Sequence, residues 1–128
     1  GFNQKKGHLI PDIINQINNK RIKLTHFNSR RDFLYIDDFL NIFEKILNNK
    51  FNKSQVLNIG SGQSVSIRTI LKIIKQIKKN ITYIETSSKY VDAVPDCYAD
   101  ISLLSKDYKW KPEVSIEDGI KKIINMHE

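Results

Sequence analysis

Apolar positions recur along this chain with two periods. Leu9, Ile10, Ile13, Ile14 and Ile17 fall at helical spacing, with Pro11 placed to suit a first turn. They predict a helix from about Leu9 to Asn18. Asn19-Lys20-Arg21 reads as a turn, and Ile22 to Phe27 as a short strand with Ile22 and Leu24 on one face and Thr25 and Phe27 on the other. A wide stripe of Phe39, Leu40, Phe43, Ile46 and Leu47 predicts a second helix, from Asp37 to about Asn49. Asp37 and Asp38 in its first turn suit the helix dipole and read as caps rather than as an acid–base pair. Asn48 to Ser54 reads as a polar loop. Gln55 to Gly62 is an apolar strand pattern running into glycines. Ser66 caps a helix from Ile67 to about Lys79, whose apolar face is Ile67, Ile70, Leu71, Ile74 and Ile77. Ile81 to Thr86 alternates like a strand. Lys89 to Asp100 reads as a loop ending in an N-cap, Asp100, before a short helix to Tyr108. Trp110-Lys111-Pro112 breaks the pattern, with Trp110 as a packing anchor. Ser115 caps the last helix with Asp118 three residues on, and Ile116, Ile120, Ile123 and Ile124 face inward. Helices alternating with strands predict an α/β fold: about five helices and three or four short strands, some of them parallel or mixed.

Composition narrows the class. The chain has 128 residues, 40% hydrophobic and 27% charged, which predicts one soluble globular domain over residues 1–128. No apolar run is long enough to span a membrane, and Gly1 to Gly7 does not read as a signal peptide. With Cys97 as the one cysteine, a cytoplasmic location is expected. The net charge of +7 raises nucleic acid as a partner. Its distribution argues against that reading. Most basic residues are scattered lysines, there are four arginines, and the densest stripe, Lys72, Lys75, Lys78 and Lys79, falls on the polar side of an amphipathic helix. His8, His26 and His127 lack ligand-like spacing, so no metal site is expected.

Candidate chemistry centres on Ser29-Arg30-Arg31-Asp32-Phe33-Leu34-Tyr35-Ile36-Asp37-Asp38. An arginine fork holds a phosphate through two hydrogen bonds, and Asp32 could pin one guanidinium in place. A surface Arg–Asp pair ahead of an ordinary helix is the plain alternative. Gly60-Ser61-Gly62 after a strand pattern suggests a dinucleotide fingerprint, but position 65 is Val where the third glycine belongs.

The Arg31–Asp38 stretch resembles the R-D-F-x-Y-V-D-D segment of the extended short-chain dehydrogenase/reductase family, the NAD-dependent nucleotide-sugar epimerases and dehydratases. Five further segments extend the match along the chain. Gly1 to Ile14 resembles the family's G-x-x-x-x-x-[IVL]-P-x-[FIL]-I, and Lys20 to Phe27 the strand that follows it. Asn58 to Ile67 resembles N-I-G-S-G-x-x-[VT]-S-[IV], a structural turn in the family. Lys89 to Asp100 resembles R-x-G-D-x-P-x-x-x-A-D, with Lys89 in the arginine's place. Lys109-Trp110-Lys111-Pro112 resembles G-[WF]-x-P, with Lys109 in the glycine's place. The resemblance implies that Arg31 and Lys89 reach a nucleotide diphosphate and Asp92 a ribose hydroxyl. His8 and Leu9 would lie near the base, and Thr25 to Phe27 would form the strand edge on which it stacks.

Only the carboxyl-terminal portion of such an enzyme is covered. The family's T-G-x-x-G-x-x-G loop and its Y-x-x-x-K pair do not occur in these residues, so no catalytic residue is assigned and no cofactor is expected on this chain alone. NAD is implied for the complete enzyme. The expected function is to bind a UDP- or dTDP-like nucleotide sugar, next to an amino-terminal Rossmann half supplied in cis or in trans, with a homodimer as a further expectation. A stand-alone interaction module, or a degenerate remnant without activity, is the alternative.

Overall fold

The computed structural model describes residues 4, 7–49 and 54–127. The match at Gly1–Asn3, Lys5 and Lys6, and residues 50–53 of the expected loop, therefore lie outside the described residues. The elements are α1 (Leu9–Ile17), β1 (Arg21–Leu24), β2 (Arg30–Asp32), α2 (Ile36–Asn48), β3 (Ser64–Ser66), α3 (Ile67–Ile77), β4 (Thr82–Glu85), α4 (Ser102–Tyr108) and α5 (Ile116–Asn125). Five helices and four short strands give the expected α/β composition.

The strands form two pairs rather than one sheet. β1 runs parallel to β4, with Ile22 opposite Tyr83, and β2 runs antiparallel to β3, with Arg31 opposite Val65. A parallel pair needs a crossover, and here the chain between β1 and β4 includes α2 and α3. The main core lies where α1, α3 and α5 meet β1: Ile13, Ile22, Ile70, Leu71, Ile74, Ile120 and Ile124 are all buried within it. Helical spacing aims those on the helices inward, and strand alternation aims Ile22.

Capping follows the sequence at two starts. Ser66 accepts the Thr69 N–H at 3.1 Å, and Ser115 accepts the Asp118 N–H at the same distance. It departs at two others. Helix α2 begins on Tyr35 with no side-chain cap, and the buried Asp38 instead accepts the N–H groups of Glu113 and Val114, each at 3.0 Å. Its carboxylate holds the approach to α5, while Asp37 sits 3.7 Å from Lys122. Asp100 lies one residue ahead of the α4 cap position, Ile101, and accepts the Ser102 N–H at 2.9 Å.

Two expectations about exposure and pairing are corrected. On α2 the residue that is fully buried is Ile42, in a second core with Leu104, Tyr108 and Trp110. Of the predicted stripe, Leu40 is 55% and Leu47 69% exposed, and Phe39 and Phe43 stack on each other at 6.0 Å in the open. Gln55 to Gly62 forms no strand. Leu57 and Ile59 pack on the second core, but the segment has no ladder partner among the described residues, and Val56 is 90% exposed. Trp110 is the packing anchor expected of it, buried at the far side of a left-handed turn through Lys109 (φ 50°). A left-handed residue with a Cβ is strained by roughly 1–2 kcal/mol, so Lys109→Gly is expected to raise stability by about 1 kcal/mol in urea denaturation with an unchanged m-value.

Candidate functional site

The site is built at the end of β1 and along β2. After Leu24 the chain leaves the strand, turns at His26 in the left-handed region (φ 55°), and is closed by the Ser29 N–H donating to the His26 carbonyl at 2.9 Å. The Phe27 N–H donates to Glu85 Oε1 at 2.8 Å, tying the bend to the end of β4. β2 then begins at Arg30. Successive strand residues point to opposite sides, which separates Arg31 from the residues on either side of it.

Arg31 faces the loop that follows β4. Its Nη2 donates to both carboxylate oxygens of Asp92, at 3.0 and 2.8 Å, and its Nη1 donates to the carbonyls of Val94 (2.6 Å) and of Arg30 (2.7 Å). The loop is also tied by the Arg30 N–H donating to the Pro95 carbonyl at 2.8 Å, and by Arg30 Nε beside Asp96 at 3.4 Å. Asp92 is held well below the usual carboxylate range, at about 2. The hydroxyl of Ser29 contributes most, followed by the Val94 N–H and by the Arg31 guanidinium. Hydrogen bonds to the charged form favour it.

These residues border an open cleft of about 350 Å³ lined by Leu9, Asp12, Leu24, Thr25, His26, Ser29, Arg31, Ile67 and Asp92. Four residues nominated from the sequence meet there: Leu9, Thr25, Arg31 and Asp92. Three do not line it. His8 is exposed at the N-cap of α1, and Lys89 is exposed in the loop after β4. Phe27 is 2% exposed, with its ring edge-on to Tyr83 at 5.8 Å and the Arg68 guanidinium 5.3 Å from its centroid. Thr25 to Phe27 is a bend beyond the strand, and Phe27 serves the core. Ser29 was missed by sequence reasoning. Nothing local distinguishes a serine before two arginines from a loop serine, because its partner is far along the chain.

Asp32 does not pin an arginine. Its Oδ1 accepts the Ser61 N–H at 2.7 Å and the Ser61 hydroxyl, and its Oδ2 accepts the N–H groups of Gly62 and Ala99, each at 3.1 Å. The Gly60-Ser61-Gly62 turn thus gives two of its N–H groups to an internal carboxylate. Those N–H groups are what a pyrophosphate would need, so the turn does not fit a dinucleotide. Among the described residues no cluster of His, Cys, Asp and Glu could hold a metal ion, and no helix is long and apolar enough to cross a membrane.

A family model described as GDP-mannose 4,6 dehydratase matches residues 3–123. CDP-abequose synthase of Salmonella muenchen is 33% identical over 132 aligned positions, which cover all of this chain and 45% of that protein. In structure, the chain is similar to UDP-glucuronic acid 4-epimerase from Bacillus cereus, determined with UDP-glucuronic acid and NAD. There the TM-score is 0.83 at 27% identity, covering 97% of this chain and 40% of the epimerase. RMD from Pseudomonas aeruginosa, complexed with NADPH, shares the fold with a TM-score of 0.85 at 21% identity, over 98% of this chain and 44% of that one. The chain therefore spans less than half the length of these relatives.

The depressed Asp92 value sets a pH window. A carboxylate lowered on folding contributes stability above its unfolded value of 3.8, and that contribution is lost as pH falls through about 2. A carbon-detected NMR titration should therefore place the Asp92 midpoint near 2, with the pair to Arg31 intact at pH 4. Ser29→Ala should move that midpoint up toward 3.8.

Proposed function

Because the chain belongs to the GDP-mannose 4,6-dehydratase family, within the extended short-chain dehydrogenase/reductases, we propose that it is the nucleotide-sugar-binding part of an NAD-dependent nucleotide-sugar epimerase or dehydratase. The observation that carries this reading is the cleft beside Arg31, where residues from α1, the β1 bend, β2 and the 92–94 loop converge. In it, Arg31 holds the diphosphate of a UDP- or dTDP-like group. Leu9 and Thr25 flank the base, and Asp92 lies within reach of a ribose hydroxyl. Lys89 and His8 do not line the cleft and carry no part of this reading. Holding the nucleotide lends binding energy to orienting the sugar at the reacting carbon.

The chemistry belongs to a second half. Nicotinamide chemistry needs a cofactor that the Gly60–Gly62 turn does not fit, so this chain alone turns nothing over. The completing half, in cis or in trans, has a surface to dock on. Ile36, Leu40, Phe43 and Leu47 lie exposed along α2, and the Gln55–Asn58 backbone has no strand partner among the described residues. An added sheet satisfies both at once. The same surface favours the second reading, an interaction module that pairs through α2. That reading predicts concentration-dependent self-association in sedimentation, abolished by Leu47→Glu.

Calorimetric titration with UDP tests the first reading. Saturable binding is expected, weakened by roughly 1–3 kcal/mol in Arg31→Ala, as for a lost charge-assisted contact. Binding indifferent to Arg31 would remove the cleft from consideration.

A further inference from the structure

The arginine nominated to hold phosphate is already holding a carboxylate. Both terminal nitrogens of Arg31 are engaged, Nη2 by the two oxygens of Asp92 and Nη1 by the Val94 and Arg30 carbonyls. Asp92 is itself held by the Val94 N–H at 3.1 Å, with Ser29 beside it in the cleft lining, and its side chain is 19% exposed. The Asp92 carboxylate takes Nη2 and two carbonyls take Nη1, so the donors that a phosphoryl group would need are already in use. Asp92 and Arg31 both line the cleft. An anion entering it meets a guanidinium that is neutralised, not a free cation.

We propose that Asp92 is an intramolecular competitor for Arg31, and so a specificity-determining residue of the cleft. It admits a ligand carrying a phosphoryl or diphosphoryl group and rejects carboxylate ligands. This rests on the reading of the cleft as an anion site. The reasoning is one of exchange. A ligand carboxylate offers Arg31 the same two hydrogen bonds that Asp92 offers. It must also surrender its hydration and leave Asp92 unpaired, so it gains nothing. A diphosphate brings more charge and more acceptor oxygens, enough to engage Arg31 and the Val94 N–H that Asp92 releases. The cost of displacing Asp92 appears as a lowered apparent affinity, set by the fraction of molecules in which Arg31 is free. Asp92 is thereby distinguished from a plain ribose contact. A ribose partner strengthens binding of a nucleotide and is indifferent to inorganic pyrophosphate, whereas a competitor weakens binding of both.

The test is calorimetry on the full 128-residue chain with inorganic pyrophosphate, malonate and UDP, for wild type, Asp92→Asn, Ser29→Ala and Arg31→Ala. The competitor role predicts that Asp92→Asn binds pyrophosphate about tenfold tighter than wild type and acquires malonate binding that wild type lacks. Ser29→Ala, which loosens Asp92 without removing it, should show a smaller gain in the same direction. It keeps the test decisive if Asp92→Asn does not fold. Pyrophosphate affinity that is unchanged or reduced in the folded Asp92 or Ser29 variant overturns the competitor role. If Arg31→Ala abolishes pyrophosphate binding in that case, the cleft reading stands and only the competitor falls. If pyrophosphate binds equally well to Arg31→Ala, or to none of the four proteins, the cleft reading falls and takes this proposal with it.

Discussion

One carboxylate ties together three parts of the chain. Asp32, at the end of β2, receives hydrogen bonds from Ser61, Gly62 and Ala99. Those residues belong to the glycine turn before β3 and to the segment entering α4. Close approach is required throughout. A Cβ on Gly60 would lie 2.5 Å from Asp32 Oδ2 and 2.6 Å from the Ala99 Cβ, both shorter than real contacts allow. Gly62 takes a positive φ of 77° to present its N–H. Because neighbouring strand residues point to opposite sides, anchoring Asp32 in this knot leaves Arg31 directed at the cleft. The site depends on the knot, although no atom of the knot lines it.

A second carboxylate does comparable work for the other core. Asp38, 4% exposed, gathers the N–H groups of residues 113 and 114 and so sets where α5 starts relative to α2. Two short strand pairs and five helices of modest length supply few long-range backbone hydrogen bonds. Carboxylates that accept main-chain N–H groups supply the missing links between loops, and each replaces water that those donors would otherwise need.

The helices were legible in the sequence because their apolar spacing is local. The caps at Ser66 and Ser115 were legible for the same reason, since donor and acceptor lie three residues apart. The acidic residues were misread because a local explanation was available for each. Asp32 stood beside an arginine and Asp37-Asp38 stood at a helix start, yet Asp32 and Asp38 bond to loops 29 to 76 residues away. Gln55 to Gly62 has a strand's pattern without a strand's partner, and pattern alone does not supply a ladder. In the site, Arg31 was visible as chemistry. Asp92 was reached through family resemblance, and Ser29 not at all. The pairing that joins them is purely tertiary.

The Arg31–Asp92 pair spans 61 positions of sequence, as does the parallel register of Arg21 against Thr82. A ribosome releases the chain from its amino terminus. Arg31 therefore leaves the exit tunnel well before the aspartate that neutralises it, and β1 well before its only ladder partner among the described residues. For that interval the emerging polypeptide presents an unpaired guanidinium and an open strand edge to its surroundings. The site is assembled only when the segment through Ala99 has joined.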